Sequence, residues 1–548
     1  MGGERAARVD FNLADLFEMV VDAVPDEEAV VVGARRLSYA ALEERINRLA
    51  HHFAASGIGP GDAVGLQLTN GSEYLEAMFA AFKIRAVPVN VNFRYVADEL
   101  RFLYRDAGLV GLVYDRRFSA AVADAFPTIV EQRAVLAVGD GAEGTEVPGS
   151  VGYEHALEAA SPARDFGSRS ADDLYCVYTG GTTGLPKGVL WRQEDIFFAA
   201  MGGGDLLHTG NPITSPSELV SRVMTPGLVA LPTPPLMHAS AHWLACSVLF
   251  AGGKVVMAPS GHFDPAETWR LVTDEGVHIL VVVGDAMARP LVDELDAHGS
   301  RYDFSTLIVI GSGGAILSPS TKERLAALLP GRMIVDGFGA SETGQIQVAA
   351  SAEPMATPRL AVDGHTTVFD DALQPLVAGS GRSGHLARSG HIPLGYLGDP
   401  EKTAATFPEV GGIRWVLPGD TATIEVDGTI TVLGRGTLSI NTGGEKVYPE
   451  EVEAALKGHP DVMDAIVVGL PDERWGERVV ALVEPRSDRA PEPESLEESC
   501  RAHLAPYKVP RTFLFTDRIE RAPSGKADYR WARARAAELT KEVAGAGE

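Results

Sequence analysis

Cysteine is scarce: three in 548 residues, at Cys176, Cys246 and Cys500. Odd in number and far apart, they give neither a disulfide framework nor a zinc cluster, and they suit a reducing compartment. Positive charge is also short. Forty-eight Lys and Arg face 74 Asp and Glu, a formal net charge of −26. That excess repels polyanions and excludes nucleic acid as the main partner. No apolar run approaches the ~18 residues of a membrane span; the greasiest, Trp243 to Ala251, ends in Gly252-Gly253. The stretch Met1 to Phe17 has no apolar core of signal-peptide length, and Ala6 stands where myristoylation needs Ser or Thr. These absences predict a soluble cytoplasmic protein without an integral membrane segment, and leave a homodimer open. What is present is ordinary for a globular chain: 45% apolar and 22% charged residues, enough for a large core and more than one domain.

Periodicity predicts an amphipathic helix over 38–57, with Ser38 as N-cap, Leu42, Ile46, Leu49 and Phe53 on one face, and Gly57 closing it. Strands are expected at Ala63–Leu68, Ala86–Val91 and Leu109–Tyr114, with a helix over Ser72–Phe82. The apolar runs Ile279–Val283 and Leu307–Ile310 suit parallel strands buried on both faces. The fold class is therefore α/β over some 400 residues. After about residue 411 the pattern changes. Thr421–Val426 and Thr429–Leu433 read as a hairpin through Asp427-Gly428. Helix at 449–457, strands at 464–469 and 478–483 and a helix near 494–504 then predict a small α+β domain, with Asp488–Glu497 as a surface loop.

The sharpest local signal is Tyr178-Thr179-Gly180-Gly181-Thr182-Thr183-Gly184-Leu185-Pro186-Lys187-Gly188. Glycines let backbone N–H groups approach an anion, threonine hydroxyls add donors and Lys187 adds charge, so phosphate is the expected guest. It is not a Walker A loop, because Pro186 precedes the lysine and neither Ser nor Thr follows. Two other glycine clusters fail as motifs. Gly311-Ser312-Gly313 has Ile316 where a dinucleotide fingerprint needs its third glycine, and Gly339-Ala340-Ser341-Glu342-Thr343 ends in Thr where a nucleophile elbow needs Gly.

Further segments follow in order: Pro234-Pro235-Leu236-Met237-His238, Gly313-Gly314-Ala315, Asp336-Gly337-Phe338-Gly339-Ala340-Ser341-Glu342, Gly419-Asp420, Gly434-Arg435, Gly443-Gly444-Glu445, Tyr448-Pro449-Glu450-Glu451, and Pro523-Ser524-Gly525-Lys526. As an ordered set this resembles the adenylate-forming superfamily: acyl-CoA synthetases, aryl-CoA ligases, luciferases and peptide-synthetase adenylation domains. Ile440 to Val447 is particularly similar to actinobacterial fatty-acyl and steroid side-chain CoA synthetases.

The resemblance implies a large AMP-binding domain of mixed α/β sheets over 1–433, a hinge at 434–437 including Thr437, and a mobile lid domain over 438–548. It implies ATP, Mg²⁺ and coenzyme A acting with a small-molecule carboxylic acid in lipid metabolism. The acid is first adenylated with loss of pyrophosphate, and a thiol then displaces AMP. Thr179, Gly180, Gly181, Thr182, Thr183 and Gly184 are expected to wrap the phosphates, with Lys187 nearby. Glu342 is expected to hold Mg²⁺, with Thr179 joining through water. Gly314, Gly337, Gly339 and Ser341 border the nucleotide; Phe338 stacks on adenine, and Asp336 or neighbouring backbone accepts from its amino group. Asp420 takes the ribose hydroxyls, Arg435 the ribose-phosphate region, and Lys526 is the adenylation catalyst. Gly443 and Gly444 are expected to line the CoA tunnel. His238, Trp243, Gly313, Ala315 and Ala340 border the acyl pocket, whose small residues and lack of Lys or Arg favour a bulky apolar acid. His238 reads equally as a pocket residue or a structural one; His242 reads as structural. Gly180, Phe338, Ser341, Pro418, Thr437 and Leu438 depart from the usual family residues. Carrier-protein loading and a non-catalytic nucleotide- or acyl-binding role are the competing readings.

Overall fold

A computed structural model of the chain describes residues 10–545 apart from 130, 140–146, 181–185, 208, 316, 350–358, 436–437, 443–444, 473–475, 488–489, 505 and 522–525. The expectations for Gly181, Thr182, Thr183, Gly184, Thr437, Gly443 and Gly444 therefore fall outside the described residues.

The α/β prediction holds. One eight-stranded sheet runs in the order Gly344–Ile346, Met333–Ala340, Val309–Gly313, Ile279–Val282, Val229–Pro232, Lys254–Met257, Glu28–Val32, Arg35–Ser38. Its inner pairs are parallel and its two edge pairs antiparallel. A second eight-stranded sheet is built around Ala63–Gln67, Val87–Asn90 and Leu109–Asp115, and carries the antiparallel hairpin Leu174–Gly180 with Pro186–Arg192. Helices Leu13–Ala23, Tyr39–Ala55, Ser72–Lys83 and Ala239–Phe250 share one apolar cluster with residues of both sheets.

The predicted helix at 38–57 is observed as Tyr39–Ala55, with the Ser38 hydroxyl accepting from Ala41 N–H at 3.2 Å. Two sequence expectations need correction. Ile279–Val282 and Val309–Gly313 are not buried on both faces; buried and half-buried residues alternate along them. One face packs on helices Pro265–Glu275, Gly284–His298 and Pro319–Leu328, and the other is only partly covered. Residues 493–497 are not loop but the start of helix Pro493–His503, because Pro493 occupies the first helical turn.

A third, antiparallel sheet contains the predicted hairpin, seen as Asp420–Ile424 paired with Ile430–Arg435. A last sheet joins Glu445–Val447, Ile440–Thr442, Gly476–Pro485, Val462–Asp472 and Thr512–Phe515, flanked by Pro449–Lys457, Pro493–His503 and Tyr529–Gly545. No strand of this sheet pairs with an earlier one among the described residues.

Candidate active site

The flanks of the phosphate-loop candidate are two antiparallel strands that set Thr179 directly opposite Lys187 and Tyr178 opposite Gly188. Asn90, on the neighbouring strand, fixes this hairpin in place. Its Oδ1 accepts from Tyr178 N–H at 2.7 Å, while its amide donates to the carbonyls of Tyr178 at 2.8 Å and Met237 at 2.7 Å. One side chain thus joins the loop to the turn before His238. Asn70 secures the same turn, accepting from Leu236 N–H at 2.7 Å and donating to the Pro234 carbonyl at 3.1 Å.

Lys187 leaves its strand to meet Glu342. The ammonium donates to Glu342 Oε1 at 2.6 Å and to the Tyr396 hydroxyl at 3.0 Å; that hydroxyl donates to the same Oε1 at 2.9 Å. The Lys187 nitrogen also stands 4.4 Å from the centre of the Tyr396 ring. Glu342 is only 5% exposed. Burial disfavours the charged lysine, but the adjacent carboxylate and both hydrogen bonds outweigh it and hold its pKa above the ordinary lysine value. The lysine is therefore charged throughout the physiological pH range.

Backbone geometry delivers Glu342 to this point. The strand Met333–Ala340 reverses through 341–343 into Gly344–Ile346, and Trp191 Nε1 donates to the Ser341 carbonyl at 3.0 Å. Gly344 has a φ of +68°, and a Cβ there would stand 2.5 Å from the Ala199 carbonyl oxygen. Only glycine fits both demands.

The parallel strands ending at Gly313 and Ala340 place the remaining candidates along one carboxyl edge, where open α/β sheets bind ligands. Their register sets Ser312 beside Asp336 and Gly313 beside Gly337. Asp336 accepts from Lys322, at 2.5 Å, which rises from helix Pro319–Leu328. Phe338 is half-buried and packs at the margin of the third sheet's apolar cluster with Ile346 and Leu360. Gly337 and Gly339 on either side of it are exposed. In the third sheet, Asp420 is opposite Arg435 in register, and Asp420 is 7% exposed.

Lys526 comes from the last sheet's domain to the same edge. The position a Cβ would take on Gly314 is 3.8 Å from Lys526 Cε, and Lys526 is exposed. Residues 212 apart in sequence are therefore neighbours across the two domains.

Gly313, Ala315 and Ala340 lie at this edge, and His238 stands at the residue before helix Ala239–Phe250, with no side-chain hydrogen bond to its first turn. Trp243 is placed differently: it is 3% exposed in the main core, and its indole N–H donates to the Tyr175 hydroxyl at 2.9 Å. His242 shares that network. Its Nδ1–H donates to the Leu236 carbonyl at 2.7 Å, and its Nε2 accepts from Tyr175. Burial pushes its pKa down to about 4, against a smaller raising effect from the Leu236 carbonyl.

A histidine in the unfolded chain titrates near ~6.5, so as pH falls the unfolded state takes up its proton first. The stability tied to neutral His242 is complete above that value and is lost progressively towards about 4. The total is on the order of 3 kcal/mol. His242→Gln is expected to be less stable than the parent at neutral pH. Its deficit narrows as apparent melting temperatures are followed down to about pH 4.5; a constant deficit would contradict this role.

A family model described as AMP-binding enzyme matches residues 17–391, and one described as AMP-binding enzyme C-terminal domain matches 451–526. The chain belongs to the AMP-binding enzyme family. It is 48% identical over 533 residues to a 3-oxocholest-4-en-26-oate–CoA ligase of Rhodococcus rhodochrous, covering 95% of each chain. It is 47% identical over 533 residues to a medium/long-chain-fatty-acid–CoA/3-oxocholest-4-en-26-oate–CoA ligase of Mycolicibacterium smegmatis, covering 95% of this chain and 96% of that one. Its fold matches the crystal structure of an anthranilate CoA ligase in complex with anthranoyl-AMP, with a TM-score of 0.83 at 20% identity over 97% of this chain and 98% of that chain.

As an AMP-binding enzyme the chain calls for Mg²⁺, and its donor set fits one. No group of three or more His, Cys, Asp or Glu converges among the described residues. Mg²⁺ commonly binds one or two carboxylates and completes its shell with phosphate oxygens and water. Glu342, a hard-oxygen ligand held in orientation by Lys187 and Tyr396, suits that pattern, and half-buried Thr179, opposite Lys187 in the hairpin, offers a second oxygen. Tyr396, Asn90 and Lys322 are the site residues that sequence reasoning missed. Only Tyr396 had a nearby signal: Gly395-Tyr396 sits just before the Asp399-Pro400 helix start.

Proposed function

We propose that this AMP-binding enzyme is an AMP-forming CoA ligase for a bulky apolar carboxylic acid, a medium- or long-chain fatty acid or a steroid side-chain acid. The observation that carries the chemistry is Lys526 at Gly314, beside the edge that presents Asp336 and Glu342. A free carboxylate is a poor electrophile. Its oxygen attacks the α-phosphorus of ATP, pyrophosphate leaves, and the resulting acyl-adenylate carries a good leaving group. Lys526 offsets the negative charge that grows on the entering and bridging oxygens.

Glu342 and Thr179 would hold Mg²⁺, which when bound neutralises phosphate charge. Lys187 and Tyr396 keep the Glu342 carboxylate aimed, and Asn90 keeps the loop hairpin in register with the turn at 234–238. Asp420 and Arg435 meet the ribose side, and Phe338 offers the exposed part of its ring to adenine. In the second step the lid turns about 434–437, withdraws Lys526 and brings Gly443-Gly444 to the CoA path. The thiol attacks the acyl carbonyl, AMP leaves, and the thiol proton passes to solvent.

The acid class rests on the small residues of 238–243, 311–315 and 338–343, which include no Lys or Arg. It also rests on the steroid and fatty acids named for relatives at 47–48% identity. Three buried, free thiols and the lack of any described helix able to cross a membrane fit the cytoplasm. Thioester formation with CoA and with a phosphopantetheinylated carrier protein, over a panel of steroid side-chain and fatty acids, tests the reading. CoA is expected to be the better acceptor; a clear preference for the carrier would replace this function with carrier loading.

A further inference from the structure

Arg289 lies on helix Gly284–His298, outside the set of residues assigned a chemical role, yet it is only 5% exposed. Its guanidinium reaches into the C-terminal domain. Nη1 donates to the carbonyls of Val462, at 2.8 Å, and Met463, while Nη2 donates to the carbonyl of Lys457. Lys457 is the last residue of helix Pro449–Lys457, so its carbonyl is one that the helix cannot satisfy internally. A cation there also complements the negative end of the helix dipole. Ser320 adds a second bond to the Lys457 carbonyl, at 3.2 Å.

Both ends of this contact lead to the adenylation site. On the large domain, Asp285 sits 3.7 Å from Arg289 Nε and accepts from Ser318 N–H at 2.9 Å. Gly284 N–H donates to the Ser312 hydroxyl at 2.9 Å, and Ser312 is two residues before Gly314. On the lid, Met463 is followed by Asp464, whose two oxygens take a fork from Arg521: Nε at 2.7 Å and Nη2 at 2.6 Å. Arg521 is in turn bridged antiparallel to Ala527, the residue after Lys526. A short chain of ion pairs and backbone bonds therefore runs from Gly314 through Arg289 to Lys526.

We propose that Arg289 is a positioning residue for the first half-reaction, a fork that latches the lid in the orientation placing Lys526 at Gly314. The inference rests on the adenylation role of Lys526 proposed above. The carbonyls at 457, 462 and 463 belong to the lid, so a lid turned about 434–437 for thioester formation carries them away from Arg289. The fork then stabilises one of two lid positions, and its removal shifts the population away from that position alone.

The test separates the half-reactions in the full-length enzyme. Arg289→Ala is expected to slow acid-dependent pyrophosphate release about ten- to a hundredfold, equivalent to about 1.4–2.7 kcal/mol. Thioester formation from supplied acyl-adenylate and CoA is expected to stay within twofold of the parent or to rise. Equal loss in both half-reactions, or adenylation within twofold of the parent, overturns the proposal. Should Arg289→Ala fail to fold, Arg289→Lys, which keeps the charge but not the fork, decides by the same split. A parent enzyme with no adenylation on any acid would instead count against the CoA-ligase reading, so the two failures are distinguishable.

Discussion

Lys526→Ala is expected to lower adenylation several hundredfold and to leave thioester formation from supplied acyl-adenylate close to the parent rate. The size follows from charge. A unit charge ~4 Å from a developing oxyanion at an effective dielectric of ~20 has a gross interaction of about 4 kcal/mol. If most of that exists only in the transition state, the rate effect reaches several hundredfold. The geometry supplies the premise, because Lys526 reaches Gly314 from another domain and is exposed rather than spent in a buried core. Quench-flow measurement of acyl-adenylate formation, with a separate assay of acyl transfer, reads the two steps. Equal loss in both would remove Lys526 from the first step and return it to a general structural role.

Glu342→Gln keeps the shape of the side chain and removes its charge. Adenylation is expected to fall by on the order of a hundredfold or more, and the Mg²⁺ concentration for half-maximal rate to rise at least tenfold. A second consequence concerns Lys187. Its raised pKa depends on Glu342, with burial acting in the opposite direction, so the variant's lysine titrates lower. If Glu342 served only to neutralise Lys187, the double variant Lys187→Met/Glu342→Gln would recover activity and the Mg²⁺ requirement would not move. A Mg²⁺ titration of the single and double variants distinguishes the two roles.

Much of the candidate site's layout was legible because its residues sit in short ordered motifs. Thr179 and Lys187 flank a glycine-threonine run, and a hairpin sets them opposite each other. Asp420 and Arg435, 15 positions apart, become cross-strand neighbours through the turn at Asp427-Gly428. The partners that orient these groups were not legible. Asn90 reads as a polar end to an apolar strand, and Lys322 as one more charge on an exposed helix; only the tertiary fold sets them against Tyr178 and Asp336. Tyr396 stabilises Glu342 from 54 residues away, and its one local cue, a place just before the Asp399-Pro400 helix start, does not point to that partner. Arg289 is the extreme case, since its partners in the C-terminal domain are backbone carbonyls, which carry no side-chain signature. Trp243 shows the converse: a window chosen for the pocket contained an aromatic that the fold commits to its core. The apolar runs at 279–283 and 307–310 misled for a related reason, because hydrophobicity reports burial without saying how many faces are covered.

Coupling of acid activation to AMP formation and thiol transfer is read in the stoichiometry of the products. The purified chain is incubated with MgATP, CoA and a steroid side-chain acid or a medium- or long-chain fatty acid, and all nucleotide and thioester products are quantified together. AMP, pyrophosphate and acyl-CoA are expected in equal amounts, all dependent on the acid, with acyl-adenylate accumulating when CoA is left out. Formation of ADP and phosphate, or AMP release that no acid stimulates and no acyl-CoA accompanies, would contradict that coupling.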